Sequence, residues 1–229
     1  MIIRFSDEEV FGLDSSEYEI LQRAAGTVAR DGTPGIALEI GTRRGGSAIL
    51  AMQVMGGGGR PFVCVDPYGN IEIECTNLNI TAHVPGEPID GDPHSKELSK
   101  PLRFDYDNSM RNRVIPSLYY CAYQMGYDFR FMFMTDTQYF RTFDAGVPFY
   151  DDEEQIVNEY AFVFFDGPHT TDKVLEEVQF FCDRSRVGTV FVVDDIWMYD
   201  HEAVEKLMSE YGFETLEKGQ VKASYIRLI

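Results

Sequence analysis

Five short stretches of this chain are apolar at almost every position: Ile36–Ile40, Phe62–Val65, Phe129–Met134, Tyr160–Phe165 and Thr189–Val193. No other feature constrains the fold as much. A strand with one face in water alternates apolar and polar residues, whereas a strand that is apolar throughout is covered on both faces. Between these stretches lie segments with helical spacing, at 46–55, 109–125, 151–159 and 171–184. Buried strands alternating with helices specify an α/β domain on a parallel sheet, with helices on each face. The end of the chain differs. HEAVEKLMSEYG reads as a helix stopped by Gly212. FETLEK and VKASYIRLI, parted by a turn at Gly219–Gln220, read as a hairpin. The expected fold is a doubly wound, Rossmann-like sheet of seven strands, mostly parallel, with an antiparallel C-terminal hairpin.

A chain of 229 residues, 44% of them apolar, suits one domain over 1–229 with a single core. An N-terminal helical segment runs to residue 33. Its helix is expected at 15–30, with Ser15 or Ser16 as cap and Glu17 and Glu19 in the first turn. Residues 68–108 stand apart: they hold Pro85, Pro88, Pro93, Pro101, His83 and His94 and show little periodicity. An insertion this long is a surface loop, a lid over a site or an oligomer contact.

The net charge is −18, from 38 acidic and 20 basic residues. Such a surface repels phosphate backbones and anionic lipid, which argues against nucleic acid or membrane as partner. No stretch reaches the roughly 20 apolar residues of a spanning helix, and MIIRFSDEEV lacks the form of a signal peptide. Cys64, Cys75, Cys121 and Cys182 form no CxxC pair and read as reduced thiols of a cytoplasmic protein.

Ligands of open parallel sheets bind outside the carboxyl ends of the strands. The residues there are unusually polar. The first strand runs into Glu39-Ile40-Gly41-Thr42-Arg43-Arg44-Gly45-Gly46-Ser47, and the second into Asp66. The third is followed by Thr135-Asp136-Thr137-Gln138, the fourth by Asp166-Gly167-Pro168-His169 and the fifth by Asp194-Asp195. Half-buried carboxylates are costly without partners, so four acidic strand ends on one rim call for a function.

The first loop is neither the GxGxxG fingerprint nor a P-loop. Glu39 would repel a pyrophosphate but suits an ammonium, and Asp66 is the residue type that accepts from ribose hydroxyls. An ammonium and a ribose without phosphate describe S-adenosylmethionine (SAM). One of Arg43 and Arg44 is then placed to meet the ligand's carboxylate. Asp166 precedes Asp194 by 28 residues, enough for one crossover, so Asp166, Asp194 and Asp195 converge. They repel one another unless a proton or cation intervenes, and oxygen ligands suit Mg²⁺, Mn²⁺ or Ca²⁺. The alternative is that Asp194 or Asp195 caps the next helix. His169, three residues past Asp166, could take a proton from a substrate hydroxyl or join the metal. Trp197, Met198 and Tyr199 either wall an aromatic pocket or pack under the last helix.

Over most of its length the chain resembles the class I SAM-dependent methyltransferases. Glu39-x-Gly41-x-x-x-Gly45-x-Ser47 is similar to the first motif of the catechol O-methyltransferase group, in which the acid and the serine approach the methionine end of SAM. Asp66 matches that group's ribose-binding acid, and Thr135-Asp136-Thr137-Gln138 resembles its adenine-side loop. Asp166, Asp194 and Asp195 match its divalent-metal ligands, with Asp195 where catechol enzymes often carry Asn. A nearer likeness is to the small-molecule O-methyltransferases of the macrocin and aminocoumarin-sugar type. Their DGDH, followed by a helix and then DD, reads here as FFDGPHTTDKVLEEVQFF and VFVVDDIW. Pro168 replaces a second Asp proposed as base in some members, which leaves His169 as the substitute.

The resemblance implies metal-assisted O-methylation of a small hydroxylated molecule, a sugar or a phenol. Glu39, Gly41, Arg43, Gly45, Ser47, Asp66, Asp136 and Thr137 would hold SAM, Asp166, Asp194 and Asp195 the cation, and His169 with Asp166 would act in catalysis. Dimers are common in the group, so a homodimer is allowed. Two rivals share the architecture: a nicotinamide-dependent oxidoreductase and a non-catalytic SAM or metabolite binder.

Overall fold

The computed structural model describes residues 11–13, 15–68, 71–75, 102–106, 108–150, 153–168 and 170–229. Helix α1 (Tyr18–Asp31) leads to β1 (Ile36–Ile40), α2 (Gly46–Met55) and β2 (Pro61–Val65). An antiparallel pair, β3 (Ile71–Cys75) and β4 (Leu102–Tyr106), precedes α3 (Asn108–Met125), β5 (Asp128–Met132) and α4 (Asp136–Thr142). A second pair, β6 (Val147–Tyr150) and β7 (Glu154–Val157), comes before β8 (Tyr160–Phe165), α5 (Thr171–Cys182) and β9 (Ser185–Val193). The chain continues through α6 (His201–Glu210), β10 (Phe213–Lys218) and β11 (Ala223–Arg227).

The main sheet has seven strands in the order β10-β11-β9-β8-β1-β2-β5. The five central strands are parallel, and β11 is antiparallel to both β9 and β10. From β1 the chain steps outward through β2 to β5, then returns to β8 on the other side of β1. That reversal between β1 and β8 marks where a ligand crevice opens.

Successive strand residues point to opposite faces and so feed two cores. Leu38, Ile40, Val163 and Phe191 pack with Val178 and Phe181 of α5 and Val204 of α6. Ala37, Phe62, Cys64, Phe162 and Val192 pack with Leu21 and Val28 of α1, Met52 of α2 and Leu118 of α3. This double cover explains the uninterrupted apolar runs.

Three elements depart from expectation. The helix expected at 151–159 is absent over its described part, where Glu154–Val157 forms β7. Only Ile156 and Val157 are apolar in that stretch, too few for a buried helical stripe. The third strand ends at Met132, and Asp136–Thr142 is α4, closed by a capping box between Thr135 and Gln138. Helix α1 starts at Tyr18 without a serine cap; Glu17 holds the N-cap position at φ 57° because its carboxylate and Ser15 are engaged elsewhere. Most of the 68–108 insertion lies outside the described residues, as do His83 and His94.

Candidate active site

The strand ends are level. Gly41 donates its amide to the Val65 carbonyl (2.9 Å), Asp66 to Met132 (3.2 Å), Asp166 to Ile40 (3.0 Å) and Asp194 to Phe165 (2.9 Å). Each bond continues the parallel ladder one residue past the strand, so Gly41, Asp66, Asp166 and Asp194 share one rim.

At β1, the alternation that sends Leu38 and Ile40 to one core sends Glu39 to the other face, between Cys64 and Phe164 on the flanking strands. Glu39 is 1% exposed. Its Oε1 accepts from the Ser47 hydroxyl and its Oε2 from the Cys64 thiol (3.7 Å). Gly41 (φ 85°) has no alternative at this turn, because a Cβ there would lie 1.8 Å from the Asp166 carbonyl oxygen. The glycine thus lets the β1 loop cross tightly over the end of β8. Arg43 (φ 40°) turns its own amide toward β2, and Arg44 Nε is buried with no hydrogen-bond partner among the described residues.

Asp66 ends β2, 1% exposed. Its Oδ2 accepts from the Arg43 amide (3.0 Å) and its Oδ1 from the Tyr68 amide (3.1 Å). Burial raises its pKa to about 6, against the pull of these two amides and of Arg43's charge. Past β5, Asp136 and Thr137 open α4 and are half-buried.

The β8–β9 side is built differently. Ala223 pairs with Val193, so the next residues on these antiparallel strands, Lys222 and Asp194, face each other. Lys222 Nζ donates to Asp194 Oδ1 (2.7 Å), Asp194 Oδ2 (2.7 Å) and Ser15 Oγ (2.8 Å). Burial raises the Asp194 pKa to about 6 while the Lys222 ammonium pulls it down. Ser15 Oγ and the Asp195 amide also donate to Asp194 Oδ1, at 3.2 and 2.7 Å. The Glu17 carboxylate accepts the amides of Gln220, Val221 and Lys222 (3.0, 2.9 and 3.0 Å). Farther along the segment, Phe11 donates its amide to the Arg44 carbonyl (2.9 Å). The described residues 11–13 and 15–17 thus meet the glycine loop at Phe11 and the rim beside Asp194 at Ser15.

A family model described as a methyltransferase domain matches residues 38–196, which span every strand end just described. The chain belongs to this methyltransferase family. No curated protein sequence matches it. Among solved structures, the O-methyltransferase NovP superposes with a TM-score of 0.57 at 17% identity, over 93% of this chain and 79% of that one. An O-methyltransferase from Bacillus cereus, in complex with S-adenosylhomocysteine (SAH), gives 0.54 at 13%, over 94% and 84%. CalS11, a TDP-rhamnose 3′-O-methyltransferase of calicheamicin biosynthesis, gives 0.51 at 13%, over 92% and 76%. These likenesses establish the class I SAM-dependent methyltransferase fold. Family membership favours methyl transfer over the nicotinamide alternative.

The methyltransferase's donor set fits SAM. An ionised carboxylate offers about four acceptor sites, so Asp66, with one amide on each oxygen, keeps capacity for ribose hydroxyls. Glu39 places a second buried carboxylate on the neighbouring strand. The divalent ion does not fit. Among the described residues no three His, Cys, Asp or Glu side chains are grouped to hold a metal, and both oxygens of Asp194 already face an ammonium. His169 lies outside the described residues. Asp166 and Asp195 are half-buried beside this arrangement.

Sequence reasoning missed Lys222, whose signal was a cation immediately before a largely apolar strand. It also missed Glu177 on α5, whose two buried carboxylate oxygens have no hydrogen-bond partner among the described residues. Glu177 lines a small cavity of about 10 Å³ with Asp166, Pro168, Asp194 and Tyr199. Met198 and Tyr199 are buried in the core, and Trp197 packs against it, so these residues serve packing. Among the described residues no helix is long and apolar enough to cross a membrane.

Proposed function

We propose that this methyltransferase uses SAM to methylate a hydroxyl oxygen of a small molecule, a sugar or a phenol. The observation that carries the reading is the pair of buried acids on adjacent strand ends, Glu39 with Ser47 and Asp66 with two backbone amides. They suit a ligand with an ammonium at one end and a ribose at the other. Glu39, Ser47, Gly41 and Gly45 would form the methionine end of the site, with Arg43 or Arg44 toward its carboxylate. Asp66 would take the ribose, and Asp136 and Thr137 the adenine side. The named activities of NovP and CalS11 support oxygen as the acceptor.

When bound, SAM supplies an electrophilic methyl on a sulfonium. The protein must hold the acceptor hydroxyl in line with that methyl and remove the hydroxyl proton. Histidine is the residue type suited to a base working near neutral pH, so His169, three residues past Asp166 in the sequence, would take the proton, and Asp166 would orient it or the substrate. A sulfonium that loses its charge on transfer reacts best where water is excluded, which suits the segment 11–17 laid across the loop.

The test is calorimetric titration with SAM and SAH, followed by methyl transfer to panels of sugars and phenols. Glu39→Gln should weaken SAH binding about 10- to 100-fold, and His169→Gln should lower turnover while leaving SAH affinity unchanged. A wild-type protein that binds neither SAM nor SAH would overturn the proposal.

A further inference from the structure

Carboxylates on neighbouring strand ends need a cation or a proton between them. We propose that the protein supplies this cation itself for Asp194: the Lys222 ammonium occupies both oxygens of that carboxylate, and the rim works without a metal. The statement about the ion rests on geometry alone; only its bearing on turnover rests on the methyl-transfer reading.

The fit of the ammonium is complete. Its three N–H donors meet three acceptors, Asp194 Oδ1, Asp194 Oδ2 and Ser15 Oγ, at 2.7, 2.7 and 2.8 Å. The Lys222 and Asp194 side chains are 0% and 1% exposed. A metal ligated by either Asp194 oxygen would meet the ammonium at close range, in a place where water does not screen the repulsion. The lysine cannot swing aside cheaply. The Tyr18 ring faces Nζ at 4.4 Å from its centroid, and Phe164 lies at 5.9 Å. The backbone that carries Lys222 is clamped by Glu17, and its register is fixed by the pairing of β11 with β9.

The inference assigns Lys222 a positioning role. It sets the orientation of Asp194 and, through Ser15, ties residues 11–17 to the rim. The lysine both neutralises Asp194 and joins β11, the end of β9 and Ser15.

Mn²⁺ titration of the full chain with SAH present, read by the electron paramagnetic resonance of the free ion, tests this directly. The expected result is that Mn²⁺ stays free, and that methyl transfer is unchanged by EDTA. One Mn²⁺ bound per chain and lost in Asp194→Asn would overturn the assignment. Binding that survives Asp194→Asn lies elsewhere and upholds it. Failure of SAH to bind in calorimetry would refute the methyl-transfer reading instead, and would leave the Mn²⁺ result standing.

Discussion

Lys222 Nζ lies equally close to the two oxygens of Asp194, 2.7 Å from each, and neither side chain is more than 1% exposed. Removing one partner of such a pair strands a buried charge. Lys222→Met should therefore cost about 3–5 kcal/mol of stability. Replacing both residues, as Lys222→Met with Asp194→Leu, should recover much of that loss. Urea denaturation of the two variants and the wild type decides it: a double variant no more stable than the single would mean that the pair is not what the lysine serves.

Gly41 meets the end of β8 so closely that any side chain collides with backbone. Neither the Asp166 carbonyl nor β1 can yield without breaking the ladder. Gly41→Ala should lower stability by more than about 4 kcal/mol, seen as a fall of roughly 8 °C or more in Tm for a chain of this size. A near-normal Tm would show that the β1 loop is looser than described.

Asp66 offers a pH signature. Burial places its pKa at about 6, and a protonated carboxyl loses an acceptor that ribose hydroxyls need. SAH affinity should be constant from pH 8 to about 7 and fall as the pH drops through about 6. Asp66→Asn should bind weakly at every pH. Calorimetry across this range suffices, and a flat wild-type profile would remove Asp66 from the ribose contact.

Glu177 gives a signature of opposite use. Burial raises its pKa well above 4.5, with the negative charges of Asp136 and Glu176 adding to the effect. The unfolded carboxyl ionises near the ordinary value while the folded one keeps its proton. Stability attached to this group is therefore full at low pH and declines as the pH rises toward the folded value. Glu177→Gln, which cannot ionise, should match the wild type near pH 4 and exceed it at pH 8 by about 1–3 kcal/mol. Thermal denaturation at both values checks this; an equal gap at each would exclude ionisation as the cause.

What could be read from the sequence divides along physical lines. The five central strands were legible because burial on both faces leaves a local mark: every residue of Tyr160–Phe165 is apolar and every one is buried. The rim acids were legible for the same reason, since a strand's end shows where its apolar run stops. Helix α4 was legible in principle, because Thr135 and Gln138 spell a capping box, but the run Phe129–Met134 masked its start. Strand β7 carries only two apolar residues and was not. The partner of Asp194 could not be seen locally at all. It depends on β11 pairing with β9 in one register, and the lysine's meaning appears only once Ala223 lies against Val193. Charge repulsion among the acids suggested a divalent ion on Asp166, Asp194 and Asp195; the described residues show instead a lysine on Asp194.

The clamp between Glu17 and the amides of residues 220–222 joins positions 203 to 205 apart in the chain. During synthesis, the glycine loop, Asp66 and even Asp194 emerge well before their last neighbours. Glu39, Asp66 and Ser47 lie on or beside β1, β2 and α2, early in the chain, whereas the rim beside β9 must wait for Lys222. Until β11 docks, Asp194 lacks the Lys222 ammonium, and the Glu17 carboxylate lacks the three amides that clamp it. Closing so long a loop carries the entropy cost that slows non-local pairing. The hairpin at the sheet's edge is thus the final assembly step of the active site, and a nascent chain lacking it would hold an open, uncompensated rim.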